Sequence, residues 1–190
     1  DPVESKHSVK VLRLREGNRV QIVDGKGGLY EAEIATAHPK KCKLSILQSI
    51  QEFGKRKFWL HMAIAPTKNN DRMGWFLEKA TEIGIDEITP VLCQHSERKT
   101  IKTERMEKIM ISAMKQSQKA YLPRLNALTP FNDLVTGGNA ALKFIAHCRD
   151  GEKKPLKDTV YPQNDVLILI GPEGDFTEEE VEFASRQGFT

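Results

Sequence analysis

The residues best suited to chemistry in this 190-residue chain follow one apolar run. Val166 to Ile170 (VLILI) reads as a strand, and Gly171-Pro172-Glu173-Gly174-Asp175 comes directly after it, ahead of a helix that begins at Thr177. In open α/β sheets, ligands lie beyond the carboxyl ends of the strands. Two glycines and a proline at such an end let a ligand lie against backbone amides and carbonyls, because no Cβ intervenes. A Gly-Pro pair is equally an ordinary strand-to-helix turn, and the spacing alone leaves both readings open. The helix start narrows the ligand class. Thr177 with Glu180 three residues on forms a capping box, and Glu178 and Glu179 add negative charge to the first turn. A helix N-terminus attracts phosphate through free N–H groups and its dipole; here those groups are capped and the field is offset. Neither a G-x-G-x-x-G nor a G-x-x-x-x-G-K-[ST] pattern occurs. A neutral or cationic ligand fits this turn better than a polyphosphate.

The second chemical signal is charge. Arg98, Lys99, Lys102, Arg105, Lys108, Lys115, Lys119 and Arg124 face only Glu104 and Glu107, a local charge of +6. Residues 1–55 carry +3 and the remainder −6, so the total of +3 conceals two basic regions against an acidic rest. Such a cluster is either the solvated face of a helix or a surface that tracks phosphates, with an affinity that falls as salt rises. Within it, Gln116 and Ser117 are uncharged hydrogen-bonding groups suited to a base edge, or simply the last turn of a helix. Cys93 and His95 are the nearest approach to a metal pair, but no second pair completes a tetrahedral set, so no metal is expected.

These residues need elements to hold them. In the first 50 or so residues, His7 to Leu14, Arg19 to Asp24, Leu29 to Ala35 and Lys43 to Ile50 alternate polar and apolar residues. Gly25-Lys26-Gly27-Gly28 supplies a turn, and short strands with Gly-rich turns predict a small barrel. From Phe58 the period changes. Phe58 to Ala65 reads as a buried strand stopped by Pro66. Met73, Phe76, Leu77, Ala80 and Ile83 mark one face of a helix that Gly84 closes. Glu87 to Cys93 is a strand whose Pro90 suggests an edge or a bulge. A helix spans about Thr103 to Ala120. Ala141 to Cys148 and Val166 to Ile170 read as strands buried on both faces. Strands alternating with helices predict a mostly parallel α/β sheet, with the domain boundary at 55/56.

Composition sets the outer limits. The chain is 39% hydrophobic and 29% charged, which excludes collagen, disorder and disulfide scaffolds. No apolar run approaches the ~20 residues that span a bilayer. The three cysteines, Cys42, Cys93 and Cys148, are widely spaced and odd in number, which suggests a reducing, cytoplasmic setting.

Several blocks together resemble a known family. Lys6-His7-Ser8-Val9-Lys10-Val11-Leu12-Arg13, Val23-Asp24-Gly25-Lys26-Gly27, Glu78-Lys79-Ala80-Thr81-Glu82-Ile83-Gly84-Ile85, Gln116-Ser117 and Ile170-Gly171-Pro172-Glu173-Gly174-Asp175-Phe176 are similar to the RsmE family. These are the 16S ribosomal RNA uridine-N3 methyltransferases of the SPOUT superfamily. Asp175 stands where the family usually has a second glycine, and Lys115 where it often has a glutamate. The resemblance implies a PUA-like β-barrel over 1–55 that binds RNA. It implies an α/β knotted SPOUT methyltransferase domain over 56–190, with a mostly parallel sheet. It also implies a homodimer whose active site draws on both subunits. Family members continue past the Gly-Phe with a segment that threads the knot. The trefoil knot is therefore expected to be incomplete in this chain and the natural protein to be longer.

The resemblance further implies S-adenosylmethionine on the backbone of Leu169, Ile170, Gly171, Pro172, Glu173 and Gly174. Gln116 and Ser117 are the catalytic candidates, orienting the uracil, and Arg13, Arg15, Arg98, Lys99 and Lys102 are expected on phosphates of 16S ribosomal RNA or the small ribosomal subunit. No membrane partner is expected. The residues name no proton acceptor. Rival readings are a non-catalytic RNA-binding protein, a methyltransferase of this superfamily acting on another RNA, and a small-molecule α/β enzyme with an incidental basic face.

Overall fold

The computed structural model describes residues 1–149, 155–161 and 163–190. The chain separates into two compact units, one of residues 1–55 with 118–121, the other of residues 56–117 with 122–190. Among the described residues, no helix is long and apolar enough to cross a membrane.

The first unit opens with a helix, not the strand expected over His7 to Leu14. Helix α1 (Pro2–Lys6) continues as a π-helical turn over His7–Val11. The reason lies in its start. Asp1 accepts the N–H of Val3 at 2.7 Å, and Pro2 stands at the first helical position, where its missing N–H costs nothing. Strands β1 (Arg19–Val23), β2 (Leu29–Thr36) and β3 (Lys43–Ile50) form an antiparallel sheet in the order β1-β2-β3. Ala32 and Ile34 are its most buried side chains. Asp24 organises the β1–β2 turn, with one carboxylate oxygen accepting the N–H groups of Lys26 and Gly28 at 2.7 and 2.9 Å. Gly27 then takes φ +101°, and its N–H donates to Ala120 at 2.8 Å. Segment 118–121 thus joins this unit, with Tyr121 bridging to Lys26.

The second unit is a parallel sheet. Its elements in chain order are β4 (Leu60–Ile64), α2 (Asn70–Ile83), β5 (Glu87–Leu92), α3 (Thr103–Gln116), β6 (Arg124–Leu125) and β7 (Thr129–Pro130). Helix α4 (Phe131–Gly137), β8 (Leu142–Ala146), β9 (Val166–Ile170) and α5 (Glu178–Arg186) complete it. The strand order is β6-β5-β4-β9-β8, with β7 pairing further along β5. Met62, Ile64 and Ile88 face Met73, Leu77, Ala80, Met106 and Met110 of α2 and α3. On the other face, Ala63, Val91, Leu167 and Leu169 meet Phe131, Val135, Phe176 and Ala184.

Three expectations are corrected here. Pro90 lies in an interior strand, not at an edge or bulge. It is tolerated because its neighbour is broken there: β6 ends its pairing at Ile88 and β7 begins at Val91, so no ladder partner awaits the missing N–H. Strand β8 is an edge strand, only partly buried, rather than covered on both faces. Helix α3 stops at Gln116 rather than Ala120. Ser117 turns its hydroxyl back to the Ala113 carbonyl at 2.7 Å, and Gln118 takes φ +54°.

The chain runs from β4 outward through β5 to β6, then returns to lay β8 and β9 on the other side of β4. The carboxyl ends of β4 and β9 therefore flank the point where the winding reverses. That point is the crevice where open α/β sheets take their ligands.

Candidate active site

Two loops meet at that reversal, Pro66-Thr67-Lys68-Asn69 after β4 and Gly171 to Phe176 after β9. Pairing extends one residue beyond the strands, since Ala65 N–H donates to the Ile170 carbonyl at 2.9 Å. The Lys68 N–H donates to the Glu173 carboxylate at 3.0 Å, tying one loop to the other. Arg98 clasps the first loop from the side. Its Nε donates to the Thr67 carbonyl at 3.0 Å and its Nη2 to the Lys68 carbonyl at 2.5 Å. Lys68 itself reaches Glu97 at 2.9 Å.

The second loop is a tight turn closed by the Asp175 N–H donating to the Pro172 carbonyl at 3.0 Å. Gly171 is required sterically, because a Cβ there would come within 2.8 Å of the fully buried Phe176 ring. Asp175 adopts φ +60°, a left-handed conformation that Asp tolerates better than most residues. Its two oxygens accept the N–H groups of Phe176 (2.8 Å) and Cys148 (2.9 Å). Burial pushes the Asp175 carboxyl up, but those two N–H donors, with His147 and Arg149 nearby, hold it below the usual range.

His95, two residues beyond Cys93, lies along the same turn. Its Nδ1 is 3.1 Å from both the Gly174 and the Asp175 carbonyl oxygens. Beyond the turn, the capping box is complete: Thr177 Oγ1 accepts the Glu180 N–H at 3.2 Å and Glu180 accepts the Thr177 N–H at 3.0 Å. The other oxygen of Glu180 accepts the Gln94 N–H at 2.8 Å. The first amides of α5 are thus engaged by side chains, and carbonyls and carboxylates dominate the crevice.

Gly171, Pro172, Glu173 and Gly174 form the turn itself, while Leu169 is wholly buried in the core and offers only backbone. The Ile170 carbonyl is already taken by Ala65. Arg98 belongs to the crevice as a clasp on carbonyls. Lys99 and Lys102 are exposed on the stretch leading into α3, so the cluster read as a basic helix begins ahead of the helix. Gln116 and Ser117 stand at the opposite end of α3, about 20 Å away at 1.5 Å per residue. Within one chain, the structure does not bring them to Lys102. Arg13 and Arg15 are exposed in the first unit, after the π-helical turn.

The sequence reading placed Asp175 in the turn without giving it a role, and missed Lys68 and His95 as parts of the crevice. The available signal was position: each follows directly on the end of a parallel strand or its turn. The Cys93–His95 pairing dissolves, because Cys93 is buried and its thiol is pushed up to about 12 by burial and by Glu180. Among the described residues, no three His, Cys, Asp or Glu side chains gather as a metal site.

An RNA methyltransferase domain profile matches residues 54–190 and an RNA methyltransferase PUA domain profile matches residues 4–47. The chain is 28% identical to ribosomal RNA small subunit methyltransferase E of Mesomycoplasma hyopneumoniae, over 95% of this chain and 78% of that one. It is 25% identical to the same-named protein of Rickettsia conorii, over 93% of this chain and 72% of that one. A crystal structure from Porphyromonas gingivalis, described as a probable rRNA-methyltransferase, is 40% identical with a TM-score of 0.93, covering all of this chain and 81% of its own. A Legionella pneumophila protein assigned as a methyltransferase and solved with SAM bound is 27% identical with a TM-score of 0.85, covering all of this chain and 79% of its own. With the profile spanning most of the chain, a PUA match ahead of it and the crevice at the winding reversal, this chain belongs to the RNA methyltransferase family.

Proposed function

We propose that the protein methylates a uridine N3 in small-subunit (16S) ribosomal RNA, taking the methyl group from S-adenosylmethionine. The observation that carries this reading is the turn after β9, where Gly171 to Gly174 lies at the winding reversal beside capped helix amides and carboxylates. That donor set fits the cofactor, which bears a cationic sulfonium and no phosphate. The backbone of Gly171 to Gly174 and the Thr67–Lys68 loop would hold it.

When bound, the cofactor supplies an electrophilic methyl carbon on sulfonium. The chain supplies the rest. Arg98 and Glu173 fix the two loops at one spacing, so that positioning of the pyrimidine nitrogen at about 3–3.5 Å from the methyl carbon can supply much of the rate. Lys99 and Lys102 track the RNA backbone. Gln116 and Ser117, remote along α3, orient the base from a second copy of the chain in a homodimer. Residues 1–55, with Arg13 and Arg15, form a PUA-like RNA-binding domain, and 56–190 the methyltransferase domain. A ribosomal substrate goes with a cytoplasmic setting.

Calorimetric titration of S-adenosylmethionine into the protein, with mass mapping of methylated nucleosides in small-subunit RNA from cells lacking the gene, tests this. Heat of binding and loss of a single methyluridine are expected. No binding, together with an unchanged methylation map, overturns it.

A further inference from the structure

We propose that His95 is the proton acceptor at this crevice, taking the N–H proton of the pyrimidine whose nitrogen is methylated; this rests on the methyltransferase reading above. Carbonyl oxygens only accept hydrogen bonds. Since Nδ1 lies 3.1 Å from the carbonyls of both Gly174 and Asp175, it must carry a proton. In the neutral imidazole the lone pair then sits on Nε2, and His95 is an exposed residue. Gly174 eases the approach, because a Cβ there would crowd the His95 Cβ at 3.3 Å.

Among the described residues, several titratable groups at or beside the turn already hold partners. Glu173 accepts the Lys68 N–H, and both oxygens of Asp175 accept backbone N–H groups that hold its carboxyl low. Lys68 is paired with Glu97, and Glu178 lies 3.8 Å from Arg149. Cys93 is buried with its thiol at about 12. His147 has the opposite tautomer: its Nδ1 accepts the Arg149 N–H at 3.2 Å, so its neutral ring carries the proton on Nε2. His95 is the histidine of the two whose outer nitrogen accepts.

The proton transfer is balanced. The N–H bond breaks, its electron pair stays on the pyrimidine nitrogen, the proton forms an N–H bond at Nε2, and it leaves later to water.

Three measurements test the assignment. Long-range ¹H–¹⁵N NMR on the wild-type protein should show a protonated Nδ1 and an unprotonated Nε2; the reverse overturns the proposal. His95→Asn keeps an amide donor near Nδ1 but places no acceptor at Nε2. It should bind S-adenosylmethionine within about threefold of wild type while single-turnover transfer to small-subunit RNA falls by about 10²-fold or more. Added imidazole with His95→Ala should restore part of that rate, whereas His95→Gln, whose amide cannot take up a proton, should not. Transfer by His95→Asn near the wild-type rate removes His95 as base and leaves the methyltransferase reading intact. Loss of cofactor binding in His95→Asn makes the residue a loop clasp and also overturns the proposal. A wild-type protein that neither binds the cofactor nor transfers methyl overturns the reading beneath it.

Discussion

The Glu173 carboxylate accepts the Lys68 N–H at 3.0 Å, and through that bond the loops after β9 and β4 share one geometry. Glu173 is exposed, so the bond contributes only about 0.5–1.5 kcal/mol. Glu173→Ala should therefore weaken S-adenosylmethionine about three- to tenfold by calorimetry, at the 1.4 kcal/mol per decade conversion. Unaltered affinity would remove the loop pairing from cofactor binding.

Gly171→Ala should be felt in stability. The new methyl meets the buried Phe176 ring at 2.8 Å, with Phe131 packed behind it at a ring separation of 5.8 Å. Overpacking of this kind costs about 1–3 kcal/mol. Thermal denaturation should show a Tm lowered by several degrees.

The structure separates two kinds of basic residue. Arg98 is engaged with carbonyls, so its reversal would mix loop collapse with charge loss. Lys99 and Lys102 are exposed. Lys99→Glu with Lys102→Glu should weaken small-subunit RNA binding and lower the salt slope by about 1 for each phosphate no longer neutralised. Cofactor affinity should stay unchanged, and an unaltered salt slope would take this stretch off the RNA.

Glu87, deep among β4–β6, gives an acid signature. Burial pushes its carboxyl up, but donation from Asn126, Arg124 and Trp59 outweighs this and holds it below its ordinary 4.5. A lowered folded-state value means stability that is present above 4.5 and is lost as pH falls through and below it. Glu87→Gln should be less stable at neutral pH by about 1–3 kcal/mol. It should also lose less on acidification, as read from denaturant midpoints. Neighbouring His61, pushed down by burial, remains as an acid-sensitive group in both proteins.

Cys93 and Cys148 should differ in alkylation. Cys148 is exposed and should label in the folded state, whereas Cys93 is buried with its thiol raised from 9.0 to about 12 and should label only on unfolding. Because the folded value is raised, the stability tied to the protonated thiol is complete below 9.0 and is lost as pH climbs toward about 12. Mass spectrometry after a short iodoacetamide pulse reads the first difference.

Where burial and period agree, the sequence was legible. The α2 face from Met73 to Ala80, its Gly84 cap at φ +92°, the strand at Val166 and the Thr177–Glu180 box are read from local chemistry and are present, but Ile83 is exposed and the last turn buries Thr81 instead. What failed was set by partners distant in sequence. His7 to Leu14 alternates like a strand, yet among the described residues no strand pairs with it and Asp1-Pro2 had already begun a helix. Pro90 is tolerated by a gap in a neighbouring strand that no local pattern reveals. Strands of two residues, such as Arg124–Leu125, carry no period at all. For the crevice, the glycine-proline turn announced itself, but His95 and Asp175 owe their roles to carbonyls and amides some 27 to 80 residues away.

The short segment 118–121 changes what dissection of this protein can achieve. Because it belongs with residues 1–55, the polypeptide passes between the two units three times, at 55/56, 117/118 and 121/122. A single cut at the boundary would strip the first unit of the Ala120 carbonyl and Tyr121 that close over Gly27. The amino-terminal piece made alone would be an unfinished object, and co-expressing the two pieces would be the informative experiment.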